Sequence, residues 1–164
     1  MLVKGKKVLL KCIYAPNEDS IPNDLENEST KSFNMIMDDT DEEVYEHKFT
    51  VGDFNVALNH DADTAGYLHI NNPNSRELLI KKMNLNNMVD IWRGLNPLSR
   101  QYTLSKKQTK NYTRARLDYF LVSENSTEFI KNVQVGRVCR LSDHRPVHLQ
   151  VSFSEIKKER GSGG

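Results

Sequence analysis

The sequence predicts a mixed α+β fold of the layered α/β/α sandwich type, built from two mixed sheets. Apolar, β-prone runs outnumber helical patterns along the 164 residues, and they follow one another with helical stretches inserted between them. No internal repeat is found. The chain is long enough to bury a core without disulfides or a structural metal. No apolar run approaches the ~20 residues that span a bilayer, and no transmembrane helix is therefore predicted.

The first half of the chain predicts two strands separated by an acidic segment. Residues 7–14 form an apolar, β-prone run closed by Pro16, and residues 47–54 form a second run that ends on a Gly-Asp step. Between them, residues 18–46 are strongly acidic and offer only one short helical stripe. Residues 56–73 are polar and are predicted to form a loop.

A helix and four further strands are predicted in the second half. Asn74 is placed to cap the helix, with Glu77 in the capping-box position and apolar residues following at helical spacing. β-prone runs then occur at residues 102–104, 117–122, 133–138 and 147–153. A polar, basic turn is predicted for residues 105–113.

The chain is predicted to consist of one globular portion, residues 1–153, and a tail, residues 154–164. The tail is charged and ends in Gly-Ser-Gly-Gly, which is typical of a flexible linker or a remnant of cloning. The N-terminus has no apolar stretch of the signal-peptide kind. Cys12 and Cys139 lie far apart in apolar runs and are expected to be reduced and buried, as in an intracellular protein.

A net charge of +1 conceals a strong asymmetry. Residues 1–75 contain 6 basic and 14 acidic side chains, whereas residues 76–164 contain 17 basic and 8 acidic ones. A basic half indicates contact with an anionic polymer such as nucleic acid. On charge alone, two solvated surfaces of opposite bias are the simpler interpretation, because the basic residues form no dense run.

Four short segments each place polar, reactive side chains at the end of an apolar strand. They are residues 13–17 (IYAPN), 52–55 (GDFN), 116–119 (RLDY) and 142–146 (SDHRP). Strand ends that meet at one edge of a sheet commonly build a site. Each segment alone could be an ordinary turn or strand, but all four in one chain favour a shared site.

The side chains in these segments suit phosphodiester hydrolysis. That reaction needs a divalent cation at the phosphate, and Asp143 is a hard oxygen ligand of the kind that Mg²⁺ prefers. Asp53 can act as the base for the attacking water. His144 can donate near the developing charge if a carboxylate such as Asp118 fixes its tautomer. Other side chains can donate hydrogen bonds to phosphate oxygens, namely Tyr14, Asn55 and Thr103.

In four blocks, the sequence resembles the endonuclease/exonuclease/phosphatase superfamily, whose fold is DNase I-like. The blocks are YAPN at 14–17, GDFN at 52–55, RLDYFLVS at 116–123 and SDHRPV at 142–147. Two intervening stretches, 74–93 and 102–107, resemble more specifically the apurinic-like endonuclease domain of LINE-type (non-LTR) retrotransposon proteins. The resemblance extends over residues 7–153.

This resemblance implies roles for individual residues. Asp53 would activate water, with Asn55 beside it at the scissile phosphate. Asp118 would orient His144, and Asp143 would lie at the metal-binding end. Tyr14 is implied to lie on the active-site floor. Further residues are expected to contact the substrate, namely Asn17, Thr103, Lys106, Lys107, Arg114, Arg116 and Ser142.

The implied activity is Mg²⁺-dependent nicking, with Mn²⁺ as the alternative ion, of one strand of duplex DNA. The nick leaves a 3′-hydroxyl, which primes reverse transcription in such elements. The implied partners are DNA and a reverse transcriptase domain downstream in the full-length protein. The implied location is nuclear when the enzyme acts on DNA. No membrane and no small-molecule cofactor are expected.

The family's domain begins with two strands that carry an Asn and the principal metal-binding Glu, both ahead of the YAPN block. This sequence starts immediately before YAPN. The fold is therefore expected to lack its first strands and to expose an apolar face or an unpaired edge. The chain alone is expected to be a weak nuclease or none. Two alternatives stay open: a relic or host-adopted fragment that binds nucleic acid or a partner without cutting, and a phosphatase of the same superfamily.

Overall fold

The computed structural model describes residues 1–17, 44–107, 112–138 and 140–153. The helical stripe predicted in the acidic segment, the tail and Cys139 lie outside these residues. Within them, no helix is long and apolar enough to cross a membrane. The elements are β1 (Leu2–Val3), β2 (Lys6–Tyr14), β3 (His47–Asp53), α1 (His60–Asp63), β4 (Thr64–Ala65), α2 (Pro73–Leu85), β5 (Met88–Asp90), α3 (Ile91–Leu95), β6 (Leu104–Lys107), β7 (Tyr112–Ala115), β8 (Asp118–Ser123), a 3₁₀ helix (Glu124–Phe129), β9 (Ile130–Val135) and β10 (Val147–Val151).

A five-stranded sheet in the order β1-β2-β3-β8-β5 forms the centre of the molecule. β2 runs parallel to β3, and β8 runs antiparallel to β3. Tyr14 at the end of β2 is the register partner of Asp53 at the end of β3, and Asp53 is in turn the partner of Asp118 at the start of β8. The three side-chain positions therefore meet at one edge of the sheet. The strands predicted at residues 7–14, 47–54 and 117–122 are confirmed.

The central sheet carries a hydrophobic cluster on each face, because side chains alternate along a strand. On β8, Tyr119 and Leu121 belong to one cluster, and Val122 belongs to the other. The first cluster also contains Ile13, Ala15, Phe54, Val56, Leu79 and Met88. The second also contains Val8, Phe49, Ile91, Trp92 and Val133.

Two smaller sheets complete the described part of the chain. β9 pairs with β10, and β4, β7 and β6 form a three-stranded sheet with β7 in the middle. Leu104 of β6 forms an isolated bridge with His144. This bridge brings the predicted Ser-Asp-His segment beside the hairpin β6–β7 and hence beside the start of β8.

The predicted cap of the main helix is wrong by two residues. The helix begins at Pro73, and Asn72 occupies the N-cap with φ +49°, without a side-chain capping bond. Proline at the first helical position favours this start, since its fixed φ is already helical and its missing N–H would have no partner there. Asn72 instead donates its side-chain N–H to Asn55 O at 2.9 Å, and Asn74 lies inside the helix rather than at its N-cap.

Other differences concern short elements. Residues 56–73 are not simply a loop, because they contain α1 and β4. The strand predicted at 102–104 begins two residues later and extends to Lys107, inside the turn predicted at 105–113; β7, whose first two residues also belong to that turn, is not predicted from sequence. The strand predicted at 133–138 begins earlier and ends at Val135. The bounds of these short strands depend on which strand each one pairs with. The sequence of one segment does not specify that partner.

The second half of one face of β2 is apolar and exposed. Leu10 is 54% exposed and Tyr14 is 80% exposed, and Cys12 between them is also exposed and free. These three side chains share a face because they lie two residues apart. The expectation that Cys12 is buried is therefore wrong: its strand supplies the core through Ile13, on the opposite face.

Candidate active site

Three side chains from separate segments meet at the sheet edge. Asp53 ends β3, Asp118 begins β8, and His144 lies in the loop before β10. Nδ1 of His144 lies 2.9 Å from Oδ2 of Asp118, and Nε2 of the same ring lies 3.8 Å from Oδ2 of Asp53. The imidazole thus lies between two carboxylates, and it contacts Asp118 more closely.

The hydrogen bond to Asp118 fixes the tautomer of His144. An ionised carboxylate can only accept, and Nδ1 must therefore carry the proton in this bond. Nε2 is then directed towards Asp53, where it can accept or, when the ring is protonated, donate. The predicted orienting relation between Asp118 and His144 has the geometry that it needs, while its role in a reaction stays a prediction.

The environment of Asp53 favours a carboxyl that holds its proton more strongly than usual. Burial raises the pKa of Asp53, the N–H of Asn55 lowers it, and the negative charges of Asp118 and Asp143 raise it again. The Asn55 backbone N–H donates to Asp53 Oδ1 at 2.9 Å. A carboxylate whose pKa is shifted towards neutrality is a better proton acceptor.

The Gly-Asp-Phe-Asn sequence determines the backbone conformation that places Asp53 at the end of β3. Gly52 has φ +147°, and a Cβ at this position would lie 1.9 Å from the backbone oxygen of Ile13 on β2. Asn55 has φ +50°, a left-handed conformation that Asn adopts more readily than most residues. Its side-chain N–H donates to Ala15 O at 2.6 Å. This bond fixes the turn after Asp53 to the end of β2.

A cavity of about 620 Å³ opens in front of the Asp53–His144–Asp118 cluster. The structure brings together on its wall most of the predicted site residues, namely Tyr14, Asn17, Asp53, Asn55, Lys106, Asp118, Asp143 and His144. Tyr67 and Asn71 also line it and were missed. Both belong to the segment expected to be a plain loop, and only the Asn-rich run 71–72, whose side chains donate to Asn55 O, could have indicated them.

Within the described residues, one group could hold a metal ion. Ligand atoms of Asp53, Asp118 and His144 lie within 4.8 Å of one another. Asp143, the predicted ligand, is not in this group. Its side chain is 53% exposed, and Oδ2 lies 4.0 Å from Nζ of Lys106. A carboxylate-rich wall suits a hard divalent cation that keeps several waters, and the metal role of Asp143 stays a prediction.

Thr103 does not face the cavity as the phosphate contact predicted for it would require. It is fully buried, and its Oγ1 accepts the backbone N–H groups of Leu117 at 2.9 Å and Asp118 at 3.2 Å. Its carbonyl accepts the N–H of Arg145 at 2.7 Å. Thr103 therefore ties the segment that carries Asp118 to the segment that carries His144, which is a positioning role.

Arg116 is also misassigned as a substrate contact. The residue is 1% exposed, and its guanidinium forms ion pairs with Asp63 at 2.9 Å and Asp90 at 2.6 Å. It lies over the rings of Trp92 and Tyr119, at 4.9 and 4.5 Å from their centroids. From sequence alone, a basic residue in a site segment is easily taken for a phosphate ligand. The sequence does not show that Arg116 is buried against two acidic side chains.

The remaining predicted contacts lie beside the cavity. Lys107 and Arg114 are exposed on β6 and β7 and do not line it. Ser142 is exposed, and its Oγ accepts the backbone N–H of His144 at 3.0 Å. Ser142 therefore shapes the turn that presents the imidazole.

Comparisons with known proteins identify the fold. No family profile matches the chain, and no curated protein matches it. Among solved structures, it is similar to a 3′–5′ exonuclease (NExo) from Neisseria meningitidis, with TM-score 0.68, 21% identity, and coverage of 88% of this chain and 61% of that one. An AP endonuclease from Archaeoglobus fulgidus gives TM-score 0.67 and 18% identity, covering 91% and 62%. The AP endonuclease LMAP from Leishmania major gives TM-score 0.54 and 26% identity, covering 62% and 34%.

These similarities confirm the predicted fold class, a mixed α+β fold with several sheets of the DNase I-like kind. The structural neighbours are described as AP endonucleases, a 3′–5′ exonuclease and a 3′ phosphatase. The chain spans between 34% and 62% of the length of the neighbours described above.

Proposed function

We propose that this chain is part of a Mg²⁺-dependent endonuclease domain that nicks one strand of duplex DNA. One observation carries the proposal: Asp53, His144 and Asp118 form a connected cluster on the wall of a cavity that also contains Lys106. The structural neighbours support it, since their names describe AP endonucleases and a 3′–5′ exonuclease.

The residues of the cluster divide the work of hydrolysis. A nick that leaves a 3′-hydroxyl requires that a water oxygen bond to phosphorus while the bond from phosphorus to the 3′ oxygen breaks. Asp53, whose pKa is raised by burial, accepts the proton of the water. When its ring is protonated, His144 donates a hydrogen bond from Nε2 to the phosphate, with Asp118 holding the ring in place through Nδ1.

Hydrogen-bond donors on the cavity wall, one of them the cation of Lys106, face the phosphate. Lys106 and the amide side chains of Asn17 and Asn55 supply donors from the chain itself. A bound Mg²⁺, or Mn²⁺, would polarise the phosphate and stabilise the leaving oxygen. Asp143 is the carboxylate that we assign to hold it, because Asp53 is the proposed base and the carboxylate of Asp118 is already bonded to His144.

The finer assignment rests on the sequence blocks. We place residues 1–153 in a LINE-type endonuclease domain, whose nick primes reverse transcription, and residues 154–164 in a tail. The biological partners would be chromosomal DNA in the nucleus and a reverse transcriptase domain of the same protein. Because the chain spans only part of its neighbours, and β2 exposes an apolar face next to Tyr14, we expect weak cutting from the chain alone.

Plasmid nicking tests this proposal. Supercoiled plasmid incubated with the chain and Mg²⁺ should be converted slowly to the open circle, and EDTA should stop the conversion. His144→Gln and Asp143→Ala should remove it, whereas His148→Gln, at an exposed position on β10, should not. Nicking that persists unchanged in His144→Gln would contradict the assignment of the site. Strong nicking by the chain would refute the expected weakness.

A phosphatase is the second candidate, because one structural neighbour is described as a 3′ phosphatase bound to a product DNA hairpin. A duplex with an internal phosphodiester and a duplex ending in a 3′-phosphate separate the two activities. Release of inorganic phosphate without internal cutting would favour the phosphatase. Duplex binding that weakens with salt, with neither reaction, would favour a fragment that binds without cutting.

A further inference from the structure

A second cleft adjoins the candidate active site. It has a volume of about 490 Å³, and its lining includes Tyr102 and three arginines, Arg100, Arg114 and Arg145. Asp143 lines both this cleft and the catalytic cavity, and the two are therefore contiguous along the surface. We call it the arginine cleft.

The three arginines come from separate segments that the structure joins. Arg114 lies on β7, Arg100 lies in the loop between α3 and β6, and Arg145 directly follows His144. The backbone N–H of Arg145 donates to Thr103 O at 2.7 Å, at the start of the β6–β7 hairpin. The bonding that places the catalytic imidazole therefore also places a guanidinium in the neighbouring cleft.

The arginine cleft carries an excess of positive charge, because its three arginines line it together with one carboxylate, Asp143. Arg93 and Arg116 are both paired with Asp63. In contrast, none of the three cleft arginines forms an ion pair with a carboxylate in the part of the chain that the structure describes. A guanidinium without a carboxylate partner keeps its planar pair of donors for an external anion, and phosphate matches that geometry.

We propose that the arginine cleft binds a second backbone phosphate of the same nucleic acid whose scissile phosphate lies beside Asp53 and His144. The proposal rests on the proposed function for the position of the scissile phosphate. A small ester with one phosphate would fill only the catalytic cavity. A nucleic acid strand offers phosphates at regular spacing, so one can react while another occupies the adjoining cleft. The cleft thereby selects a polymeric substrate.

Binding without cutting is the first test. Anisotropy of a labelled 20-base-pair duplex is measured in EDTA against salt concentration. The triple variant Arg100→Gln/Arg114→Gln/Arg145→Gln should bind at least tenfold more weakly at low salt, and its log–log salt slope should be shallower by about 1, as the loss of one phosphate contact requires. The control is Lys81→Gln/Lys131→Gln, with exposed lysines on α2 and β9 that line neither cavity, and it should bind as the parent does. Thermal unfolding of both variants verifies that they fold.

Selectivity is the second test. The ratio of kcat/KM for a duplex to kcat/KM for bis(4-nitrophenyl) phosphate should fall at least tenfold in the arginine variant and stay constant in the lysine control. An unchanged ratio, or duplex binding that the arginine variant retains, overturns the cleft assignment. If the chain hydrolyses neither substrate, the proposed function fails, but the salt-dependent binding difference still decides whether the cleft holds phosphate.

Discussion

Asp53, the base in the proposed reaction, carries a cost to folding. Burial raises its pKa, and the folded state therefore favours the protonated carboxyl. The stability that such a group contributes is present below its unfolded pKa and is lost as the pH rises through the folded value. At neutral pH, the ionised carboxylate near Asp118 and Asp143 consequently destabilises the fold.

Replacing Asp53 by Asn should therefore separate activity from stability. Asp53→Asn should abolish nicking and yet raise the urea midpoint at pH 7.5 in EDTA, and the gain should shrink as the pH approaches 4. The amide oxygen can still accept the N–H of Asn55. The exposed Asp61→Asn on α1 is the control and should change neither property. A lower urea midpoint for Asp53→Asn at pH 7.5 would show that the ionised carboxylate does not destabilise the fold.

Arg116 shows why a residue's neighbours in sequence do not reveal its role. Its side chain is enclosed with Asp63 and Asp90, so Arg116→Gln would remove the cation that these two carboxylates share and leave Asp63 with Arg93 alone. Removing one member of a buried ion pair costs about 3–5 kcal/mol. We expect a loss of that size in urea unfolding. Arg114→Gln, an exposed change two residues earlier, should stay within about 0.5 kcal/mol. Equal, small losses would mean that the buried network contributes little.

At the scale of the elements, Gly52 allows the backbones of β2 and β3 to lie close together. A methyl group there would meet Ile13 O at 1.9 Å, and the φ of +147° is unfavourable for any other residue. Gly52→Ala should therefore lower the free energy of unfolding by more than about 2 kcal/mol. Gly94→Ala in α3 is the matched control because a Cβ there meets nothing within 4 Å. Alanine should be neutral or stabilise the helix by up to about 1 kcal/mol. Urea titration decides, and a Gly52→Ala protein as stable as the control would disprove the close approach.

Elements with strong local signals could be predicted from sequence, and elements defined by distant partners could not. β2, β3 and β8 were predicted because their apolar runs are long and bounded by turn residues. The sequence does not predict β7, because its four residues, YTRA, are too few to show an alternation of polar and apolar side chains. Its pairing with β4 and β6 is set by tertiary contacts. The candidate site was predictable at the strand ends, whereas the buried roles of Thr103 and Arg116 depend on packing.

At the scale of the whole molecule, the central sheet explains why four distant sequence blocks form one site. Parallel pairing of β2 with β3 aligns their ends, and antiparallel pairing of β8 with β3 brings the start of β8 to the same edge. The hairpin β6–β7 then holds the loop of His144 against that edge through Leu104 and Thr103. Local folding is therefore insufficient for this site, which requires an intact sheet.

The pH dependence of the stability of the whole fold should reflect His47. This residue contacts Phe153, which packs against the second hydrophobic cluster. The ring is 4% exposed, contacts the rings of Phe129 and Phe153, and bonds through Nδ1 to Ser126 Oγ at 3.0 Å. Burial lowers the pKa of His47 from 6.5, Lys6 lowers it further, and two glutamates partly oppose this. Its Nε2 is buried without a partner in the described residues, and the neutral ring is therefore the folded form.

The sign of the resulting pH dependence follows from proton uptake on unfolding. Well above pH 6.5, His47 is neutral in both the folded and the unfolded state and does not reduce the free energy of unfolding. Below pH 6.5, the unfolded chain binds a proton at His47 more readily than the folded chain, and the free energy of unfolding falls. Urea unfolding at pH 7.5 and 5.5 should show a loss of up to about 1.4 kcal/mol from this residue. His47→Gln should be less stable at pH 7.5 but should lack this part of the slope, while His148→Gln, exposed on β10, should keep it. Because Asp53 titrates alike in all three proteins, the difference between their curves isolates His47, and identical slopes would exclude it as the source.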